Sequence, residues 1–293
     1  MLTEAMIGLC LGERWALEGA GLTSLEGGMG SRTWIVDHDD RRWVAKAVVA
    51  TLGSQFAGGL TVAQRLERAG IPAGAPEPTR DGSLTVTVDG YRLALLTWVP
   101  GDELTGHDQH QQRLIGATLG RVHQALAGQV IEGAQRFHWV DPAADHLALR
   151  PWLRPAVTAA VEALEHRSTD AWSQGLLHAD PAPEAFRLNP VTGTCGVIDW
   201  SVALYGPLLY DLASAVMYLG GPDRAAELIE AYQAHGALGR AEIDDGLPVM
   251  LRFRWVVQAD YFARRITQND LTGIAGPQDN EKGLEDARRF LIG

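Results

Sequence analysis

The sequence contains little cysteine, no long apolar run and no excess of positive charge. Among its 293 residues are two cysteines, Cys10 and Cys195, with no Cys-x-x-Cys pair or Cys/His cluster that could hold zinc or a redox centre. Two free thiols suit a reducing compartment, so we expect a cytoplasmic protein. The apolar segment 5–12 has no basic leader and is too short to span a bilayer, so we expect no membrane association.

The net charge of −11 narrows the range of partners. Nucleic-acid binding depends on neutralising phosphates with a basic face, which this chain does not obviously provide, so we expect no nucleic-acid partner. An acidic surface suits a cationic small molecule, although the same charge also simply keeps soluble proteins apart. With 46% hydrophobic residues, the chain is long enough for one large domain or for two lobes with separate cores.

Short β-type runs separated by turns dominate the first hundred residues. Strands are predicted over 33–37, 42–48, 84–88 and 91–98, and a helix over 54–69. The last two strands are joined by Asp89-Gly90, the dipeptide best suited to the positive backbone angles of a type I′ turn. This part of the chain is therefore predicted to form a hairpin, a helix and a second hairpin.

The remaining residues show mainly helical periodicity. Four apolar residues at spacings of four, three and four form one stripe on a predicted helix: Ile115, Leu119, Val122 and Leu126. Further helices are predicted over 212–219, 223–235 and 251–266. Pro100-Gly101 breaks the pattern between the two parts. We therefore predict an α+β chain with a small β-rich N-terminal lobe over residues 1–98 and a larger, mainly helical C-terminal lobe over residues 99–293.

A glycine-rich segment, Gly27-Gly28-Met29-Gly30-Ser31, directly precedes the first of these predicted strands. Glycines would let backbone N–H groups approach phosphate oxygens without interference from side chains. The segment lacks the Gly-Lys-Ser/Thr of a Walker loop, and a strand rather than a Rossmann helix is predicted to follow it. An ordinary surface turn is an equally good interpretation of these residues taken alone.

Lys46 occupies an informative position in the predicted strand 42–48. Alternation along a strand puts Lys46 on the same face as Val44 and Val48. A lysine between valines must extend to water or find an anion. The phosphates of a nucleotide beneath the glycine-rich segment would supply that anion, whereas the alternative is a solvent-facing lysine on an edge strand.

Two aspartates flank a predicted hairpin in the helical part. Asp180 follows Leu176-Leu177-His178-Ala179, and Asp199 ends the run Cys195 to Ile198. Two such carboxylates can divide the chemistry, one accepting a hydroxyl proton or orienting the nucleophile and the other holding Mg²⁺ against a transferring phosphate. Either residue alone would usually be a cap or a turn residue.

Several ordered motifs resemble the aminoglycoside phosphotransferase and choline kinase-like family. They are Leu177-His178-Ala179-Asp180, Val197-Ile198-Asp199-Trp200, Gly206-Pro207-Leu208-Leu209-Tyr210-Asp211-Leu212-Ala213, Leu119-Gly120-Arg121-Val122-His123 and Leu95-Leu96-Thr97-Trp98-Val99-Pro100-Gly101. The resemblance covers most of the chain. It implies a two-lobed protein-kinase-like fold and ATP-dependent phosphate transfer to a hydroxyl of a small molecule, such as an aminoglycoside-like antibiotic or another metabolite.

The resemblance also implies roles for individual residues. In the N-terminal, nucleotide-binding lobe, Lys46 contacts phosphate, and backbone groups near Trp98 and Val99 meet adenine. The phosphate lid comprises Gly27, Gly28, Gly30 and Ser31. In the C-terminal, catalytic lobe, Asp180 engages the acceptor hydroxyl, His178 supports its loop, and Asp199 is the principal Mg²⁺ ligand. Asp211 is implied to brace the catalytic loop.

Two departures from the family pattern bear on activity. The family carries a metal-binding Asn five residues after the catalytic aspartate, where this chain has Ala185. Glu184 is the candidate replacement ligand, although it equally suits a solvent-facing position. The helix 54–69 also lacks the acid that pairs with the lysine, since its first acid is Glu67, near its end. A non-catalytic nucleotide-binding protein that has lost part of the metal site is therefore the main alternative function, and transfer of a nucleotidyl group is a second one.

Overall fold

The computed structural model describes residues 2–25, 30–132, 135–137, 140–167 and 171–293. The chain forms two compact units. The first contains the residues up to Glu103 together with 130–135 and 185–203, and the second contains 104–129, 136–184 and 204–293. The lobe boundary between residues 98 and 99 stays a prediction. Within the described residues, no helix combines the length and the apolar character needed to cross a membrane.

Strands and helices are numbered along the chain. The strands are β1 (Gly21–Leu25), β2 (Arg32–His38), β3 (Arg41–Val49), β4 (Pro76–Glu77), β5 (Val86–Val88), β6 (Tyr91–Thr97), β7 (Asp102–Glu103), β8 (Gln135–Arg136), β9 (Gln174–Leu177), β10 (Phe186–Leu188), β11 (Cys195–Val197) and β12 (Leu204–Pro207). The helices are α1 (Glu4–Trp15), α2 (Gly53–Arg68), α3 (Gln109–Ala125), α4 (Leu153–Glu165), α5 (Leu209–Tyr218), α6 (Ala226–Gln233), α7 (Arg240–Thr267) and α8 (Pro277–Ile292). The α+β class predicted from the sequence is confirmed.

The main sheet of the first unit is antiparallel. Its described strands run in the order β1-β2-β3-β6-β4, and β5 pairs with β6. Both predicted hairpins are confirmed, because β2 pairs with β3 and β5 with β6. Asp89 and Gly90 have φ angles of 46° and 78°, as a type I′ turn requires. Strand β1 was not predicted from the sequence.

Alternation along β3 gives the sheet two different apolar faces. Trp43, Ala45 and Ala47 are buried in a cluster with Ile7 and Leu11 of α1. On the opposite face, a second cluster contains Val48 of β3, Ala94 of β6, and Phe56 and Leu60 of α2. Each helix therefore covers one face of the sheet, and Lys46 lies on the α2 face.

A smaller antiparallel sheet completes the first unit. It consists of β11, β10 and β7 in that order, with Leu188 opposite Cys195 and Arg187 opposite Glu103. The β10–β11 hairpin was predicted from the sequence. Its turn is closed by Asn189, whose carbonyl oxygen accepts a hydrogen bond from Gly193 N at 2.9 Å.

The second unit is mainly helical. Helices α4, α5 and α8 pack on α7, and α3 packs on α6. The predicted apolar stripe of α3 is buried, as Ile115, Leu119, Val122 and Leu126 are each at most 1% exposed. At Gly116 a Cβ atom would lie 2.1 Å from the Leu228 carbonyl oxygen, so only glycine permits the observed approach of α6.

Helix α7 is longer than the sequence predicted. The expected start at Leu251 is wrong, because the helix begins at Arg240 and continues through Pro248. Proline has no N–H group and normally interrupts a helix. Here Ile243 and Leu247 before it, and Met250 after it, are all buried, and their packing maintains the helix across the missing hydrogen bond.

Candidate active site

In the first unit, Lys46 forms an ion pair with Asp199. Lys46 projects from β3 with its side chain 9% exposed, and its Nζ lies 2.5 Å from Asp199 Oδ1. An ammonium that is almost fully buried requires an anion, and the Asp199 carboxylate supplies it while remaining 57% exposed. The structure therefore brings together the predicted phosphate-contacting lysine and the predicted metal ligand.

The backbone around Asp199 fixes its carboxylate. Asp199 follows β11 with φ 70° and ψ 58°, a left-handed conformation that Asp tolerates better than most residues. A 3₁₀ turn over Trp200–Val202 comes next, and Ser201 Oγ donates a hydrogen bond to Asp199 Oδ1 at 2.6 Å. Trp200 Nε1 donates to Val197 O at 2.9 Å, which anchors the turn to the strand before it.

Helix α2 contacts this turn through glycine instead of supplying an acid to Lys46. A Cβ atom at Gly59 would lie 1.9 Å from the Trp200 carbonyl oxygen, so the backbone of α2 lies directly against the turn. The acid of the helix, Glu67, accepts a hydrogen bond from Ala73 N at 2.9 Å and so stabilises the segment after the helix. The ion-pair partner of Lys46 is thus Asp199, in place of an acid from α2.

Apolar side chains surround Lys46 on the α2 face of the sheet. Ile35 of β2 and Leu96 of β6 lie directly opposite Val44 of β3, so all three share the face of Lys46. Each of them is only half-buried, in contrast to the fully buried residues on the α1 face. Half-exposed apolar groups beside a cation suit a flat heterocycle that carries phosphates.

The other residues predicted to contact nucleotide are placed as follows. Trp98 is half-buried, Val99 is buried, Gly30 is exposed and Ser31 is half-buried. Gly27 and Gly28 lie outside the described residues. The guanidinium of Arg42 lies 5.3 Å from the Trp98 ring centre. Both side chains line a cavity of about 350 Å³, together with Asp37, Asp39, Asp40 and Arg41.

In the second unit, Asp180 lies at the end of a loop that Asp211 braces. Asp211 is fully buried, and its two carboxylate oxygens accept hydrogen bonds from His178 N at 2.7 Å and from Ala179 N at 2.8 Å. Asp211 Oδ2 also lies 3.1 Å from His123 Nε2. The loop is tight, because Ala179 has φ 72°, and Asp180 N donates to His178 Nδ1 at 3.3 Å. This geometry is compatible with the predicted role of His178 in supporting the loop before Asp180.

Two further residues contact the Asp180 carboxylate, and the sequence interpretation missed both. Tyr218 at the end of α5 donates a hydrogen bond to Asp180 Oδ1, and Arg254 Nη2 of α7 lies 3.1 Å from the same oxygen. Arg254 is flanked by Phe253 and Trp255 in a helix of apolar periodicity. That position could have indicated a buried ion pair, since a charged residue among buried apolar positions of a helix normally has a partner.

The Tyr218 residue is 38% exposed, but its hydroxyl is desolvated where it meets Asp180 and Arg254. Burial raises the pKa of the Tyr218 phenol well above its usual value, and the negative charge of Asp180 raises it further. The phenol therefore stays protonated and can donate to Asp180 throughout the physiological range. Glu184 also contributes to raising the pKa of Tyr218, which places its carboxylate within electrostatic range of that phenol.

The chemistry of the residues around Asp199 is compatible with a Mg²⁺ ion whose other ligands are water and phosphate. No group of three or more Asp, Glu, His or Cys side chains in the described part of the chain could hold a metal ion alone. Mg²⁺ usually takes one or two carboxylates, several waters and the phosphates of a substrate, so the exposed Asp199 carboxylate fits. Ala185 is buried and offers no side-chain oxygen, while Glu184 is exposed. The ligand roles of Asp199 and Glu184 both stay predictions.

The class of fold is protein-kinase-like. An amicoumacin kinase, solved in complex with AMP-PNP, Ca²⁺ and Ami, superposes with a TM-score of 0.79 at 16% identity, over 99% of this chain and 93% of that one. The microcompartment-associated aminopropanol kinase superposes with a TM-score of 0.75 at 17% identity, over 97% and 94% of the two chains. At these identities the similarity shows the fold, and it confirms the two-lobed kinase-like prediction.

The family follows from the sequence match. Residues 21–245 match the model of the phosphotransferase enzyme family APH, and the chain belongs to that family. Among curated relatives, homoserine kinase from Rhizobium johnstonii is 26% identical over 208 residues, which is 66% of this chain and 64% of that protein. The match thus spans slightly less than two thirds of the length of that relative.

Proposed function

We propose that this protein is an ATP- and Mg²⁺-dependent phosphotransferase that acts on a hydroxyl of a small molecule. The observation that carries the proposal is the ion pair between the buried Lys46 ammonium and the exposed Asp199 carboxylate, 2.5 Å apart. A cation and a metal-binding anion at one position are what triphosphate binding requires. Family membership and the kinase names of the matched proteins support the same conclusion.

In this proposal the first unit binds the nucleotide. Lys46 neutralises phosphate charge, and backbone N–H groups of Gly27, Gly28, Gly30 and Ser31 cover the phosphates. Backbone groups near Trp98 and Val99 meet the adenine edge. Asp199 would hold Mg²⁺, which would further neutralise the charge on the phosphates.

Asp180 acts on the acceptor. Its carboxylate accepts a hydrogen bond from the acceptor hydroxyl and orients that oxygen toward the γ-phosphorus. The new O–P bond forms as the bond between the γ-phosphorus and the bridging oxygen breaks, and ADP leaves with the electron pair. The hydroxyl proton passes to Asp180 or to water. Because such transition states are loose, we expect orientation by Asp180 to matter more than its basicity.

The acceptor class is proposed from the matched proteins. The curated relative is named for homoserine, and one solved neighbour is named for aminopropanol, so we propose a small amino alcohol or amino acid with a free hydroxyl. A cationic acceptor remains a prediction. Two acids that would suit an ammonium group are already engaged, Asp260 with His146 Nε2 at 2.6 Å and Asp270 with Arg265 at 3.2 Å.

The cellular location is also a proposal. Cys10 and Cys195 are both buried, and neither forms a disulfide bond. Burial raises the pKa of the Cys10 thiol, which keeps it in the unreactive neutral form. Cysteines that form no disulfide bond and a dependence on ATP both suit the cytoplasm.

The test is a panel of acceptors with ATP labelled in the γ-phosphate. Homoserine, aminopropanol, choline and an aminoglycoside would each be incubated with the wild-type protein, with Asp180→Asn and with Asp244→Asn as a matched control on the surface of α7. We expect transfer to at least one acceptor, strongly reduced by Asp180→Asn and unchanged by Asp244→Asn. Binding of ATP without Mg²⁺ dependence and without transfer to any acceptor would instead support the non-catalytic alternative that Ala185 suggests.

A separate measurement addresses the metal ligands. If Glu184 replaces the missing Asn, Glu184→Ala raises the Mg²⁺ concentration needed for half-maximal nucleotide binding. Calorimetric titration of ADP at several Mg²⁺ concentrations gives this value without any requirement for turnover. An unchanged Mg²⁺ dependence in Glu184→Ala would leave Asp199 as the proposed protein ligand.

A further inference from the structure

The carboxylate of Asp180 is held on one side only. The hydrogen bonds that it accepts from Tyr218 and Arg254 both fall on Oδ1, and no described residue donates to Oδ2. The side chain remains 51% exposed. One oxygen is thus fixed by the protein, and the other is left toward solvent, where an acceptor hydroxyl would bind.

Arg254 is itself rigidly placed. Its side chain is 8% exposed, and Nε donates to Ser214 Oγ of α5 at 2.9 Å. The guanidinium carbon lies 6.0 Å and 5.7 Å from the ring centres of Tyr210 and Tyr218. A buried guanidinium with a hydrogen bond on one edge and aromatic rings near its faces has little freedom to move. It therefore offers Asp180 a fixed point of attachment.

Tyr218 adds a second fixed donor. Arg254 Nη2 lies 3.3 Å from the Tyr218 hydroxyl oxygen, so the tyrosine, the arginine and Asp180 Oδ1 form a closed triangle. Because the phenol stays protonated, its O–H group points to the carboxylate. Both hydrogen bonds to Asp180 are charge-assisted, because their acceptor is a carboxylate, and together they restrict the rotation of the Asp180 side chain.

We propose that Arg254 and Tyr218 are positioning residues for catalysis. They act through Asp180, by fixing Oδ1 so that Oδ2 is aimed at the acceptor hydroxyl. This inference rests on the proposed phosphotransfer function. It adds two residues, from α5 and α7, that the motifs of the family resemblance do not contain.

The test compares kinetic constants of Tyr218→Phe, Arg254→Lys and Arg254→Met with those of the wild type. Tyr218→Phe removes one hydroxyl and keeps the ring, so we expect a normal fold. Loss of a hydrogen bond to a charged group predicts a fall in kcat of about 10-fold or more. The KM for ATP should be unchanged, because Lys46 and Asp199 belong to the other unit. Arg252→Met on α7 and Tyr261→Phe serve as controls, since Arg252 donates to Leu291 O and Tyr261 accepts a hydrogen bond from Arg265.

A double-mutant cycle separates positioning from a general structural effect. If Tyr218 acts through Asp180, Tyr218→Phe has no further effect on the residual kcat of Asp180→Ala, which lacks both carboxylate oxygens, and the two losses are not additive. Arg254→Lys should recover part of the activity lost in Arg254→Met. Additive losses, or variants with wild-type kcat, would overturn the inference while the wild-type protein stays active. A wild-type protein without transfer to any acceptor would instead overturn the proposed function.

Discussion

Substitution of Gly59 by alanine should destabilise the first unit and weaken its affinity for Mg²⁺-bound nucleotide. In the native structure a Cβ atom at this position would lie 1.9 Å from the Trp200 carbonyl oxygen and 2.8 Å from its carbonyl carbon. Both obstructing atoms belong to the backbone, so no change of side-chain rotamer relieves the clash. Helix α2 and the turn after Asp199 must move apart by about 1.1 Å to reach even a 3.0 Å contact.

The expected magnitude follows from two opposing terms. Alanine is favoured over glycine inside a helix by about 1 kcal/mol. Overpacking in a well-packed site costs about 1–3 kcal/mol, and a clash between backbone segments belongs at the upper end of that range. We therefore expect Gly59→Ala to lower the free energy of unfolding by about 2 kcal/mol.

Gly8→Ala is the matched control. Gly8 lies inside α1, and a Cβ atom there meets nothing within 4 Å. The same substitution should therefore raise the free energy of unfolding by up to about 1 kcal/mol, so the two variants are expected to change stability in opposite directions.

Two assays check the prediction. Urea denaturation gives the free energies of unfolding, and calorimetric titration with ATP, with and without Mg²⁺, gives nucleotide affinity. Because the turn that moves begins at Asp199, the Mg²⁺-dependent part of the affinity should fall about 10-fold, which corresponds to about 1.4 kcal/mol. Gly59→Ala with the stability of the wild type and unchanged Mg²⁺ dependence would refute the close packing of α2 on this turn.

Four further outcomes are expected. Lys46→Met should lower kcat/KM for ATP at least 100-fold, with a small effect on urea stability because Asp199 is largely exposed, and a steady-state assay over ATP concentration checks it. Asp211→Asn should lower the free energy of unfolding, measured by urea denaturation, by about 3 kcal/mol. It replaces a buried carboxylate that accepts two backbone hydrogen bonds and contacts His123. Ala179→Gly should retain at least the stability of the wild type, because glycine adopts the φ of 72° without strain, and a loss above 1 kcal/mol would contradict this reasoning. Burial raises the pKa of the Cys10 thiol above its unfolded value. The contribution of this thiol to stability is therefore complete below the unfolded pKa and is lost as pH rises through the folded pKa. Cys10→Ala should reduce the alkaline loss in the free energy of unfolding, measured between about pH 8 and 10.

Local patterns in the sequence were sufficient for much of the fold. Alternation along β3 placed Lys46 on the opposite face from Trp43, and Asp89-Gly90 identified a hairpin turn, because both features depend on residues close together in the chain. The continuation of helix α7 through Pro248 could not be predicted from local sequence, because proline normally ends a helix. Burial of the neighbouring residues outweighs that preference. Strand β1 was missed for a similar reason, because four of its five residues are exposed and it shows no clear alternation.

For the candidate site, motifs in the sequence identified the candidate catalytic and binding residues but not the side chains that contact them. Lys46, Asp180 and Asp199 were named from the sequence, and their roles stay proposals. The sequence showed that α2 has no acid near its start. It did not show that Asp199 pairs with Lys46 instead, because the two residues are 153 positions apart. Arg254 was missed because its distance from Asp180 along the chain is 74 residues, and no local periodicity encodes a contact of that separation.

The left-handed backbone of Ala179 limits which residues this position can tolerate. A β-branched side chain would crowd the carbonyl that follows it, so valine, isoleucine and threonine should be depleted in a saturation library at this position. Glycine and asparagine should be enriched, although neither alters the charge or the chemistry of the neighbouring Asp180. Sequence drift at residue 179 is therefore governed by a torsion angle, and it gives no information about which acceptor the protein prefers.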